Sequence, residues 1–171
     1  MASFLHLQRR DLCKICLMYR EKTLATGEVY HVYNRGAHKA AIFLESSDYA
    51  RLQQLLFLAN DSCPINMRDL RAKYRGCDPN SIFQEEVPDR SLVEVLAYAL
   101  MPNHIHIILR QKTENGIAIY MRKVATAYSM YFNTKYNHSG TIFQGPYKSR
   151  HVDTGDYLRW VLAYVAANPI D

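Results

Sequence analysis

No uncharged stretch of the chain approaches the ~20 apolar residues that a membrane-spanning helix needs. Glu94, Pro102 and two histidines break the longest apolar run. A signal-peptide pattern is also missing, and Cys13, Cys16, Cys63 and Cys77 are too irregularly spaced for the disulfide framework of a small secreted domain. Cys13 and Cys16 have zinc-like or redox-like spacing, but no second pair lies at a matching interval. Reduced thiols in a cytoplasmic protein with no membrane role are therefore expected. Internal repeats and low-complexity tracts are absent, so a repeat architecture is not expected.

Acidic side chains are the scarcer sign, with 16 Asp and Glu against 21 Lys and Arg, giving a formal charge of +5 and a pI near 9.0. A polyanionic partner suits that balance. Aromatic residues point the same way. The thirteen tyrosines, interleaved with cations, can stack bases while Lys and Arg meet phosphate, although many will be core residues. A length of 171 residues is enough for one domain with a sizeable core.

Residues 1–27 carry Arg9, Arg10, Lys14, Arg20 and Lys22 and read as a basic N-terminal extension. A single domain over 28–171 follows. Its first strand spans 28–35 and ends at the turn residues Asn34 and Gly36. Ser46 or Ser47 then caps a helix whose apolar stripe is Tyr49, Leu52, Leu55, Leu56 and Ala59. Residues 61–90, with four of their number Pro or Gly, read as an irregular insertion. Strands at 91–101 and 104–111 form a hairpin turned by Pro102-Asn103. A helix follows Asn115-Gly116 to about residue 135, then a strand over 141–152 bent at Gly145-Pro146. A last helix has its body at 157–167 and stops before Pro169. This order is that of an α+β protein with a ferredoxin-like antiparallel sheet (β-α-β-β-α-β) and an added C-terminal helix.

Within the second hairpin strand, His104, His106 and Ile108 alternate with Ile105, Ile107 and Leu109. Two histidines at i and i+2 project from one face with Cα atoms about 7 Å apart. Both imidazoles can then lean onto one ion, each needing about 2.1 Å from nitrogen to metal. Satisfied, half-buried strand histidines are the alternative. In the last helix Tyr164 and Asn168 are four residues apart and share a face. Trp160 and Val161 are placed to pack that helix onto the sheet. If its Tyr–Asn face looks at the histidines, Asn168 offers a third metal ligand and Tyr164 a phenol nucleophile. Tyr128 and Tyr131 compete for that role, but the apolar stripe of their own helix claims them for the core.

The ordered set of motifs resembles the single-tyrosine HUH transposases, most closely the REP-associated tyrosine transposases of bacteria. It comprises Tyr30-His31-Val32, Asn34-Arg35-Gly36, Met101-Pro102-Asn103-His104-Ile105-His106, Tyr131-Phe132-Asn133, Gly140-Thr141-Ile142-Phe143-Gln144-Gly145 and Tyr164-Val165-Ala166-Ala167-Asn168-Pro169. The resemblance implies a catalytic domain in which His104, His106 and Asn168 bind a divalent ion, Mg2+ or Mn2+. It further implies that Tyr164 cuts single-stranded DNA, becoming linked to the 5′ phosphate and leaving a 3′ hydroxyl. The implied partner is single-stranded or hairpin DNA, at repetitive extragenic palindromes with a short guide sequence, bound by a monomer or a homodimer. Arg35, Arg122, Lys123, Lys148 and Arg150 are the candidate DNA-binding cations. Where family members usually carry Arg after the Gln-Gly pair, this chain has Pro146, which leaves Lys148 and Arg150 to supply charge. A non-catalytic nucleic-acid binder on an RRM-like sheet, a rolling-circle replication nickase and a small metalloprotein without a DNA role are the other readings.

Overall fold

The computed structural model describes residues 24–62 and 90–167, with the backbone alone for 164–167. Nearly all of the basic extension at 1–27 and of the insertion at 61–90 lies outside the described residues, as do Asn168, the four cysteines and the Tyr164 side chain. Strand β1 (Val29–Arg35) leads through a single 3-10 turn (Ala37–Lys39) to helix α1 (Ser46–Leu58). Strands β2 (Val93–Met101) and β3 (His104–Gln111) form the hairpin, followed by helix α2 (Gly116–Tyr136), strand β4 (Lys148–His151) and helix α3 (Gly155–Ala167).

The four strands lie in the order β2-β3-β1-β4, and every neighbouring pair is antiparallel. This is the ferredoxin-like α+β arrangement. The crossover through α1 leaves a gap beside β1, and β3 fills it when the hairpin folds back. Alternation then divides the side chains between two faces. Tyr30, Val32, Ile105, Ile107 and Leu109 form one buried cluster with Leu52, Leu55 and Leu56 of α1 and Ile117, Tyr120, Met121, Val124 and Tyr128 of α2. Each fully buried aliphatic side chain contributes about 1.5–3 kcal/mol, so this face holds the domain together. The opposite face carries a smaller cluster, in which Val161 of α3 packs with Ala99, Ile108 and Val152.

Three sequence expectations change. The strand placed at 141–152 contracts to Lys148–His151, because Pro146 has no N–H for the ladder and Gly145 adopts a φ of +151°. Residues before it form a loop pinned to the end of β1, with the Ala37 amide donating to the Ile142 carbonyl (2.9 Å) and the Gln144 amide to the Arg35 carbonyl (2.8 Å). The N-cap of α1 is Glu45 rather than a serine, and Asp48 at N3 completes a capping box with it. Asp48, fully buried, accepts from the amides of Leu44 (2.8 Å) and Glu45 (3.1 Å). Trp160, placed against the sheet by its spacing, is instead 59% exposed, while Val161 fills the contact with Tyr157, Leu158 and Leu162 packed around it.

Gly36, just after β1, is required by a close approach. A Cβ built there would lie 2.1 Å from the Ala40 carbonyl oxygen. The same turn brings the Gly36 amide to the Asn103 carbonyl at 2.8 Å, tying the β1 exit to the β2–β3 turn.

Among the described residues no helix is long and apolar enough to cross a membrane.

Candidate active site

Register brings the chemistry together. Arg35 stands opposite His104 and Tyr33 opposite His106, while Lys148 is paired with Tyr33 and Arg150 with His31. Partners across an antiparallel ladder share a face. The face away from the two-helix core therefore presents His31, Tyr33, Arg35, His104, His106, Lys148 and Arg150 together.

A pocket of about 570 Å3 opens on this face, lined by Tyr33, Asn34, Arg35, His104, His106, Gln144, Gly145, Pro146 and Lys148. Its floor is the strand pair. Its wall is the 144–146 loop, held where the Asn34 side-chain amide donates to the Gly145 carbonyl (3.1 Å). Thus Pro146 lines the pocket beside Lys148, which supplies a cation on that wall.

Each histidine is held through Nδ1. His104 Nδ1 lies 2.7 Å from Asn103 Oδ1. The Asn103 amide nitrogen already donates to the Lys39 carbonyl at 3.1 Å, so its oxygen is the acceptor and His104 Nδ1 carries the hydrogen. His106 Nδ1 lies 2.8 Å from Nε2 of buried His31, and the two rings stack at 5.1 Å. In His104 this tautomer puts the lone pair on Nε2, and the same holds for His106 when the shared hydrogen sits on its Nδ1.

Electrostatics keep these rings neutral. Burial, then the His31 and His104 rings, push His106 down to about 4. Burial and the Arg35 guanidinium lower His104, and burial and Arg150 lower His31. A neutral imidazole retains the lone pair that a metal or a proton needs. Among the described residues there is no group of three His, Cys, Asp or Glu side chains able to hold an ion.

Of the other candidates from sequence, Arg35 and Lys148 line the pocket. Arg150 lies on the same face, its guanidinium 4.7 Å from the centre of the Tyr157 ring. Arg122 and Lys123 are not brought to it. Both belong to α2, which covers the opposite side of the sheet, and Lys123 donates to the Asp61 carbonyl. Tyr128 and Tyr131 also lie on that helix-covered side. Tyr128 is fully buried and donates to the Ile42 carbonyl, and burial raises its pKa above the usual phenol range. Tyr131 donates to Asp48 at 3.0 Å. Tyr164 lies in α3, three residues after Val161, which packs against Ile108 and Ala99. Ala99 is the ladder partner of His106, so α3 is anchored beside that histidine.

Sequence reasoning missed His31, Tyr33, Asn103 and Gln144 as parts of the site. The signal was present in β1, where His31, Tyr33 and Arg35 fall on one face of the strand and Tyr30 and Val32 on the other. Only pairing shows that the two polar faces coincide.

The chain is thus an α+β protein whose ferredoxin-like sheet carries two histidines and two cations around one open pocket. Residues 78–168, more than half of the 171, match the family model described as IS200-like transposase. The chain belongs to the IS200-like transposase family, and a transposase role follows from that membership. Its fold is similar to that of a REP-associated tyrosine transposase solved bound to a REP hairpin, with a TM-score of 0.54 and 12% identity over 89% of this chain and 72% of that one. A candidate transposase from Deinococcus radiodurans R1 aligns with a TM-score of 0.46 and 13% identity over 87% of this chain and 96% of its own. No curated protein matches the sequence significantly.

Proposed function

We propose that the protein nicks single-stranded DNA and transfers the cut strand through a 5′-phosphotyrosine intermediate, with Tyr164 as nucleophile. The observation that carries this reading is the pocket itself, where His104 and His106 share one opening with Arg35 and Lys148. Two neutral imidazoles beside two guanidinium or ammonium groups suit an ion and a phosphodiester in adjacent positions.

The donor set fits a divalent cation, since both histidines are held through Nδ1. His104 and His106 would hold it, with Asn168, outside the described residues, as third ligand. Mg2+ or Mn2+ suits phosphoryl chemistry, and imidazoles tolerate manganese better than magnesium. When bound, the ion supplies charge neutralisation at a phosphodiester oxygen. Arg35 and Lys148 orient the phosphate from the rim. The Tyr164 oxygen, having lost its proton to water, attacks phosphorus. A phosphorus–oxygen bond to Tyr164 forms as the bond to the 3′ oxygen breaks, and that oxygen leaves as a 3′ hydroxyl after taking a proton. Attack by another 3′ hydroxyl reverses the step and joins a new strand. By the likeness to the hairpin-bound transposase, the substrate is hairpin-bearing DNA with an unpaired flank.

The test is incubation of the protein and Mn2+ with a single-stranded hairpin oligonucleotide labelled in turn at each end. A band that survives denaturant, carries the 3′-end label and is lost in Tyr164→Phe supports the reading. An adduct that persists in Tyr164→Phe overturns the nucleophile assignment. Binding of the hairpin with no cleavage favours the non-catalytic RRM-like alternative.

A further inference from the structure

The pocket is continued along the same face by a row of side chains that the cleavage chemistry does not use. Arg150 lies two residues beyond Lys148 in β4, and alternation puts both on the histidine face. Its guanidinium sits over the ring of Tyr157, 4.7 Å from the centroid. Tyr157 in turn is nearly parallel to Trp160, with 15° between the planes and 5.9 Å between centroids. The two rings are one turn apart in α3, so the helix holds them in an offset, roughly level arrangement.

Two features set this row apart from ordinary packing. Tyr157 is half-buried against the cluster of Ala99, Ile108, Val152 and Val161, so its ring is fixed by the fold. Trp160 leaves 59% of its surface to solvent although Val161, next to it, is fully buried. An indole is among the side chains that gain most from burial, and this one is held by its neighbour in an exposed, oriented position. The nearby Asp156 carboxylate is paired with Arg159 at 3.2 Å, so an acidic group next to the rings is matched by a cation.

We infer that Arg150, Tyr157 and Trp160 form a stacking site for an unpaired nucleobase of the DNA strand that leaves the histidine pocket. A flat aromatic surface next to guanidinium and ammonium groups matches the two parts of a nucleotide, a π face and a phosphate. Duplex DNA hides its base faces, so the ligand is single-stranded. This inference rests on the DNA reading above and adds to it a route for the strand, from Lys148 past Arg150 to the rings.

Trp160 is the only tryptophan in the chain, so its emission reports on this site alone. The full chain is titrated with a dye-labelled thymidine oligomer, following Trp160 emission and dye anisotropy together, and then with a blunt duplex of equal length. The expected result is saturable quenching by the oligomer, tracking the anisotropy, with little quenching by the duplex. Trp160→Ala, at an exposed position, then weakens oligomer binding about tenfold, and Trp160→Phe recovers part of it. Oligomer binding with unchanged emission and unchanged Trp160→Ala affinity overturns the inference and leaves the DNA reading standing. Equal quenching by the duplex also overturns it. Absence of oligomer binding overturns the inference, and absence of binding by the hairpin oligonucleotide as well overturns the DNA reading with it.

Discussion

His31 Nε2 lies 2.8 Å from His106 Nδ1, inside the sheet face that opens on the pocket. One ring must donate and the other accept. When His106 carries its hydrogen on Nδ1, its Nε2 presents a lone pair, and His31 acts as the outer partner that fixes this tautomer. His31→Ala is therefore expected to weaken Mn2+ binding by about 10–100-fold, measured by calorimetry without DNA. His31→Gln, whose amide oxygen can accept the same hydrogen bond, should restore part of the loss. Equal affinities for wild type and both variants would mean that the contact orients nothing.

Acid should unfold the metal-free protein in two stages. An unfolded histidine titrates near pH 6.5, whereas His106 in the fold stays neutral down to about 4. Between those values the unfolded chain binds the extra proton, so stability is full above about pH 6.5 and declines toward about pH 4. Asp48 supplies the second stage. Burial alone would raise its carboxyl, but the Lys135 ammonium, the Tyr136 hydroxyl and the amides of Leu44 and Glu45 outweigh burial and hold it well below the usual carboxylate range. Its contribution is complete above about pH 4 and is lost beneath that. Thermal melts across this range should show a flatter first stage in His106→Gln. In Asp48→Asn the second stage should flatten, with a stability loss of about 1–3 kcal/mol near neutrality as the amides and hydroxyls that donate to the buried carboxylate lose a charged acceptor. An acid profile unchanged in both variants would contradict this account.

Arg35 and Lys148 line the pocket, whereas Arg122 lies on the helix that covers the other side of the sheet. For single-stranded DNA, log affinity falls with log salt by about 0.7 per phosphate neutralised. Arg35→Ala and Lys148→Ala should each weaken binding and reduce that slope by roughly this amount. Arg122→Ala should leave both unchanged. A slope altered by Arg122→Ala and by neither of the others would place the DNA on the wrong face.

Gly36→Ala tests the tie between β1 and the hairpin turn. The added methyl meets the Ala40 carbonyl oxygen at 2.1 Å, a backbone atom that cannot rotate away. A loss of about 1–3 kcal/mol is expected, read as a lower denaturant midpoint. Because the same turn holds Asn103 against His104, metal affinity should fall as well. An unchanged midpoint would mean that the turn yields freely.

The histidine strand was legible from its alternation, since a period of two needs no knowledge of neighbours. The same holds for the order of elements and the core stripes of α1 and α2. Asp48 was not legible. A carboxylate in the first turn of a helix reads as solvent-exposed until Tyr131, Lys135 and Tyr136, more than eighty residues away, close over it. The short β4 depended on a loop whose hydrogen bonds go to Arg35 and Ala37 rather than to a ladder.

By itself, then, the sequence determined which side chains could share a face within each element, because helical and strand periods are local properties of the backbone. Whether two such faces meet was decided by strand pairing and helix docking, which depend on contacts between distant residues. Antiparallel register put His31 against His106 and Arg35 against His104. Docking of α3 through Val161 buried one residue and left its neighbour Trp160 facing water, a choice no local period could make.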